Sequence, residues 1–302
     1  MKGCECMKLA ISGETLGYTD CLDIICETLA TQDVHYIELW PVNCFPEKGK
    51  EIYPYLYRNR DLEKTKSVLD KYGIQVCAVS FGAAFDRSVV NNPDLYADEF
   101  AKAVDVAEFF GAKIVNHYCR LISTSDEMDY EILERYYRKA LEQAEKKKIV
   151  LTLENEAHDM VRTPLKMKMA IEHFNSQYFK TNYDATNYLQ SSCEAFPAAY
   201  NILKEHIGYV HLSNGCKYDP EYFQRSDWLG GTMTGAFSPG NIVFTYIDQG
   251  AVNVLGILKT LYRNKYTGFC TLEPHTNRTN TLMYYPDLFS ELKLLRSLDL
   301  WE

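Results

Sequence analysis

Apolar positions along the chain follow two alternating rhythms. Short runs rich in β-branched and aromatic residues, at 8–12, 36–40, 75–81, 113–117, 149–154, 179–184, 209–213 and 269–273, read as strands. Between them lie longer stretches with apolar residues three and four apart, which predict helices over 20–31, 58–72, 94–110, 130–147, 163–174, 194–206, 252–263 and 286–298. Leu133, Tyr137, Ala140, Leu141 and Ala144 show the spacing plainly. Pro93 and Gly111 bracket one helix, Gly73 closes another and Pro164 opens a third. Strands that alternate strictly with helices form right-handed parallel units. Eight such units in 302 residues predict an α/β fold of the closed (β/α)8 barrel type.

An open doubly wound sheet would place a Gly-rich phosphate loop after an early strand. The segment after the first strand is Gly13-Glu14-Thr15-Leu16-Gly17, which is no such loop, so a nucleotide cofactor is not expected. No biased linker divides the chain, and residues 1–302 read as a single barrel domain. Its one long excursion, 214–249, carries five glycines together with Tyr218, Tyr222, Phe223, Trp228, Phe237 and Phe244. Such a loop suits either a cover over the barrel mouth or a packing and oligomer contact.

Composition narrows the classes of partner. Apolar residues make up 46% and charged residues 24%, as in an ordinary folded protein. The net charge of −9 argues against a nucleic-acid partner. The one tight basic run, Lys146-Lys147-Lys148, sits beside Glu142 and Glu145 and reads as a helix C-terminus. No run reaches the length of a membrane span, and Lys2, Glu5 and Lys8 interrupt any leader-like start. Ten cysteines scattered through apolar segments suggest buried free thiols in a reducing, cytoplasmic compartment.

The chemistry gathers at strand ends. A parallel barrel collects its functional groups at the C-terminal ends of its strands. Four successive late strands deliver Glu154, Asp184, His211 and Glu273 there. Taken singly, an acidic residue at a strand end is a helix cap and a lone histidine is a core residue. As an ordered quartet, three carboxylates converging without a cation would repel one another. A divalent metal removes that penalty, and three oxygens with one imidazole suit Mn²⁺, Mg²⁺, Co²⁺ or Fe²⁺, with Zn²⁺ also acceptable. Further polar residues share the rim: Glu38, Asn116, His117, Glu156, His158, Asn187, Lys217 and His275. Trp40, Tyr118 and Trp228 could stack on a sugar ring. With no compact amide nest for phosphate, an uncharged carbohydrate or polyol ketone is the expected ligand.

The segments Leu151-Thr-Leu-Glu-Asn155, Thr181-Asn-Tyr-Asp-Ala-Thr-Asn187, Val210-His-Leu-Ser-Asn214 and Thr271-Leu-Glu-Pro-His275 resemble those of the xylose isomerase-like barrels, in order and over essentially the whole chain. The layout is most similar to the ketose 3-epimerase branch. That resemblance implies a Mn²⁺ ion held by Glu154, Asp184, His211 and Glu273. It also implies Glu154 and Glu273 as acid and base on opposite faces of the substrate, working through a metal-stabilised enediolate. Three positions depart from that branch: Asn187 stands where it often has His, Lys217 where it has Arg, and His158 where it has a second Glu.

The same superfamily includes inosose dehydratases and 3-keto C-glycoside lyases, the latter working with a small partner subunit. A metal-dependent carbon lyase, with His117, Glu156 or His158 as the acid, is therefore the alternative to an isomerase or epimerase. A catalytically inactive carbohydrate-binding barrel is a further one. A homo-oligomer is the expected state otherwise.

Overall fold

In the computed structural model the described residues are 6–119, 127–157, 159–217, 242–273 and 284–302. Among them the strands, in chain order, are β1 (Lys8–Ser12), β2 (Tyr36–Leu39), β3 (Gln75–Phe81), β4 (Ile114–Tyr118), β5 (Val150–Glu154), β6 (Phe179–Asp184), β7 (Ile207–Leu212), β8 (Asn214–Lys217), β9 (Ile242–Thr245) and β10 (Phe269–Leu272). Eight of these close into a barrel in the order β1-β10-β7-β6-β5-β4-β3-β2, and every pair is parallel. Helices surround it, giving a (β/α)8 TIM barrel.

The helices begin and end where side chains satisfy free backbone groups. Asn92 accepts from Leu95 N–H at 3.2 Å, Pro93 takes the first position, and Gly111 at φ 75° ends the helix Pro93–Phe110. Asp129 caps the helix Tyr130–Lys147 in the same way, and Lys146 and Lys147 occupy its last turn. Each cap is worth about 1 kcal/mol. These two helices pack side by side, joined on their outer faces by Lys139–Asp98 and by Lys147 to Asp105 and Glu108. No helix among the described residues is long and apolar enough to cross a membrane.

Two segments differ from the rhythm of the sequence. The predicted helix over 194–206 is broken. A helix at Ala185–Gln190 comes first, then a turn at Ala195–Ala199 in which Phe196 is extended (φ −146°, ψ 128°), then the short helix Tyr200–Leu203. The excursion also opens and closes as an antiparallel ribbon, β8 on β9, pairing Asn214 with Thr245 and Lys217 with Ile242.

The foot of that ribbon is fastened to the barrel. Asn214 Nδ2 donates to Ile247 O at 2.7 Å and to Val252 O at 2.9 Å, while its Oδ1 accepts from Val252 N–H. Gly250 passes so close that a Cβ there would lie 2.0 Å from Asn214 Oδ1, which is why no larger residue fits. Among the described residues Cys26, Cys44, Cys77 and Cys270 are buried and outside any disulfide. Cys6 departs from the expectation and is disulfide-bonded.

Candidate metal centre

Strand alternation decides what enters the barrel. Successive side chains point to opposite faces, so the residues two apart share one face. Asn116 and Tyr118 on β4, Thr152 and Glu154 on β5, Asn182 and Asp184 on β6, and Tyr209 and His211 on β7 thus fall on the inner face. The lower interior is largely apolar, built from Ala10, Ala78, Ile114 and Tyr209. Above it the lining turns polar.

At the C-terminal end, Glu154, Asp184, His211 and Glu273 come together, each buried, with one donor atom apiece within 4.8 Å of one another. His211 Nδ1 lies 3.2 Å from Glu154 Oε2 and 3.2 Å from Glu273 Oε2. That nitrogen is buried without a hydrogen-bond partner. A cation with bonds of about 2.1 Å sets neighbouring donors about 3 Å apart and opposite ones about 4.2 Å apart. The two 3.2 Å separations at His211 Nδ1 match neighbouring donors, and hard oxygens with one imidazole suit a divalent ion. The cluster is able to chelate one.

Two of the cluster carboxylates are held from behind. Glu154 Oε2 accepts from Asn116 Nδ2 and Asn182 Nδ2, both at 2.9 Å, and its Oε1 accepts from Asn187 Nδ2 at 3.3 Å. Asp184 caps the following helix by accepting from Thr186 N–H at 2.7 Å and Asn187 N–H at 2.9 Å, and it also accepts from Ser213 Oγ at 3.2 Å. It therefore serves as helix cap and cluster member together. Asn155 ties β5 to β6 through both the N–H and the C=O of Asp184.

Burial raises the pKa of Glu154, an effect that His211 opposes. Burial, followed by the Glu154 and Glu273 carboxylates, pushes Asp184 up to about 7. For His211 burial acts downward, but the carboxylates of Glu154, Glu38 and Glu273 outweigh it and hold the imidazole well above its usual value. All these shifts express crowded charge in a dry place.

The other predicted site residues divide. Asn116 and Asn187 join the cluster through Glu154. Glu38 reaches it from below and is completely buried; its Oε2 lies 2.9 Å from His211 Nε2. His117 does not join. Next to inward-facing Asn116, it points outward, its ring packed 4.6 Å from Phe100, 5.1 Å from Tyr137 and 5.7 Å from Phe179, and burial pushes its pKa down to about 3. Glu156 is half-buried in the loop after β5, and Lys217 is exposed at the end of β8. His158, Trp228 and His275 lie outside the described residues.

Trp40 and Tyr118 pack together at 5.7 Å, with Phe85 5.0 Å from Tyr118, forming an aromatic wall whose Tyr118 hydroxyl is 3.4 Å from Asn116 Nδ2. Sequence reasoning missed Ser80, Asn182 and Ser213. Each stands two residues from another inward-facing position, so the period of two was the signal that could have found them.

The chain matches the sequence model of the family described as xylose isomerase-like TIM barrel over residues 26–296. No curated protein matches it by sequence. Among solved structures, the probable 3-DHS dehydratase AsbF of Bacillus anthracis superposes with a TM-score of 0.71 at 16% identity, covering 96% of this chain and 99% of that one. The IOLI protein, solved with a zinc atom, gives 0.69 at 15% identity over 97% and 98% of the two chains. A D-allulose 3-epimerase from Methylomonas sp. gives 0.67 at 16% identity over 97% and 98%. At such identities the likeness is one of fold.

Proposed function

The chain belongs to the xylose isomerase-like TIM barrel family, and from that premise we propose that it is a divalent-metal-dependent isomerase or epimerase of a non-phosphorylated ketose. The reaction is proton transfer at the carbon next to a carbonyl. The observation that carries this reading is the pair Glu154 and Glu273, which approach the same His211 nitrogen from β5 and from the end of β10, strands that lie on opposite sides of β7. The bound cation, Mn²⁺ in this reading, supplies charge that offsets the negative oxygen formed as the proton leaves.

The protein's own residues do the rest. Glu154 takes the proton from one face of the substrate and Glu273 returns one to the other. Asn116, Asn182 and Asn187 fix the Glu154 carboxylate in place. The Trp40–Tyr118–Phe85 wall offers an apolar face to carbon and helps exclude water. The absence of clustered arginines among the described rim residues suits an uncharged ligand, and the similar D-allulose 3-epimerase supports a sugar.

One observation favours a second reading. Three amide donors tie both oxygens of Glu154 in place, an arrangement that also accommodates a single base acting from the other side. Single-base chemistry with a leaving group beside the carbanion is a β-elimination, and the likeness to a probable dehydratase is consistent with it.

The test is exchange with solvent. Metal-loaded protein is incubated with ketoses and keto-inositols in deuterated water, and the products are read by NMR after the protein is removed. Deuterium at C3 with a C3 epimer supports epimerisation, and loss of water supports the lyase. Glu154→Gln and Glu273→Gln should each slow exchange by about 10²-fold or more. Wild-type rates in either variant would overturn the acid and base roles of the two glutamates.

A further inference from the structure

The contact between β2 and β7 crosses the barrel lumen. In the closed order, β2 and β7 are separated by β1 and β10. Even so, Glu38 Oε2 lies 2.9 Å from His211 Nε2, with neither side chain exposed. The other Glu38 oxygen accepts from Ser80 Oγ and, at 3.4 Å, from Asn116 Nδ2. Three donors from three different strands thus converge on one carboxylate that no solvent reaches. Glu38 is not one of the four clustered donors.

A carboxylate in this setting only accepts. Its partner nitrogen, His211 Nε2, must therefore carry the hydrogen. In the neutral ring that a cation requires, the opposite nitrogen, Nδ1, is then the one with the lone pair, and it is Nδ1 that faces Glu154 and Glu273 at 3.2 Å. The ring plane is fixed as well, because Nε2 is anchored and the ring packs against Tyr209 at 5.3 Å. Asn116 extends the same control to a second ligand, since its one amide donates to Glu154 Oε2 at 2.9 Å and to Glu38 Oε1.

We propose that Glu38 is the positioning residue of the metal centre: from β2 it sets the tautomer and orientation of His211, so that Nδ1 is presented as the metal-binding atom. Oriented carboxylate–histidine pairs of this kind strengthen metal binding by raising ligand basicity and removing rotational freedom. The inference rests on the cluster holding a divalent cation, as the proposed function requires. It replaces the expectation of a substrate contact at Glu38 with a role exerted through His211.

The test uses the full chain and reads metal and imidazole rather than turnover. Protein stripped with a chelator is titrated with Mn²⁺ by calorimetry, and the zinc-loaded form is examined by ¹⁵N NMR of the histidine side chains. Wild-type protein should show His211 protonated at Nε2 and metallated at Nδ1. Glu38→Gln, whose side-chain amide can donate to Nε2, should bind Mn²⁺ about 10- to 100-fold more weakly and should shift the His211 nitrogen resonances, with the melting temperature of the stripped protein preserved. Wild-type affinity in a folded Glu38→Gln protein would overturn the inference. So would a wild-type zinc form metallated at Nε2, a readout that stands even if the variant does not fold. Failure of the wild type to take up any divalent ion would instead bring down the reading of the cluster itself.

Discussion

Asn116 and His117 are neighbours in sequence and opposites in role. The Asn116 side chain enters the barrel and donates to Glu154, whereas His117 turns outward among Phe100, Tyr137 and Phe179. What lines this site is therefore set by which residue of each pair the pleat sends inward. The crowding of Glu154, Asp184 and His211 has a measurable result. With the Asp184 carboxyl pushed up to about 7 and the His211 imidazole held well above its usual value, the cluster retains protons at neutral pH. A cation must displace them. Affinity for Mn²⁺ should rise as pH rises from 6 to 8, by about tenfold per pH unit for each proton expelled. Calorimetry in buffers of different ionisation enthalpy checks this, and uptake with no proton release would contradict it. The four-residue cluster was legible in the sequence because each member lies at or beside the C-terminal end of a strand. His117 was misjudged because position along the strand was read without the phase of the alternation that Asn116 fixes.

Among the elements, the broken segment after β6 shows what periodicity leaves out. Asp184 starts a helix directly at Ala185 by capping it, and the predicted helix over 194–206 is broken at Phe196, which is extended ahead of Pro197. The ribbon β8–β9 was equally hidden, because its pairing is long-range and its sequence reads as loop. Its return limb rests on the helix Tyr284–Arg296, where Glu291 accepts from Ile247 N–H at 2.9 Å and Asp287 accepts from the Tyr246 hydroxyl. Burial, then the nearby Asp287 and Asp248 carboxylates, pushes the Glu291 carboxyl from 4.5 up to about 8. The folded protein keeps this proton where the unfolded chain has lost it. Its contribution is complete below pH 4.5 and is lost as pH rises toward 8, at up to about 1.4 kcal/mol per pH unit. Glu291→Gln should flatten the decline in melting temperature between pH 5 and 8, as followed by circular dichroism. An unchanged slope would show that the proton is not held there.

For the molecule as a whole, alternation of strands and helices was enough to predict a closed barrel, since eight right-handed parallel units of this size have few other ways to bury both faces of a sheet. What alternation could not supply was the lumen, where residues from strands distant in sequence meet, as Glu38 and His211 do across 173 positions. Because the clustered donors come from four late strands, a cation held there should stabilise the fold globally. At a hundredfold excess over Kd the gain is about 2.7 kcal/mol, a rise in melting temperature of about 5 °C, reversed by a chelator. Scanning calorimetry with Mn²⁺, Mg²⁺, Co²⁺ and Zn²⁺ in turn would show it, and no shift with any of them would contradict the reading of the site.

The stitching of Asn214 to Ile247 and Val252, with Gly250 pressed against it, gives the barrel rim a socket. Lys217 and Ile242 leave that socket as paired neighbours, so any insert whose ends meet a strand's width apart, about 5 Å, can be seated there without pulling on the wall. Loop closure costs only about 0.6 kcal/mol per doubling of length. The rim is thus a natural place for grafting, where the length and chemistry of an insert can be exchanged while the buried carboxylate–histidine cluster keeps its shape.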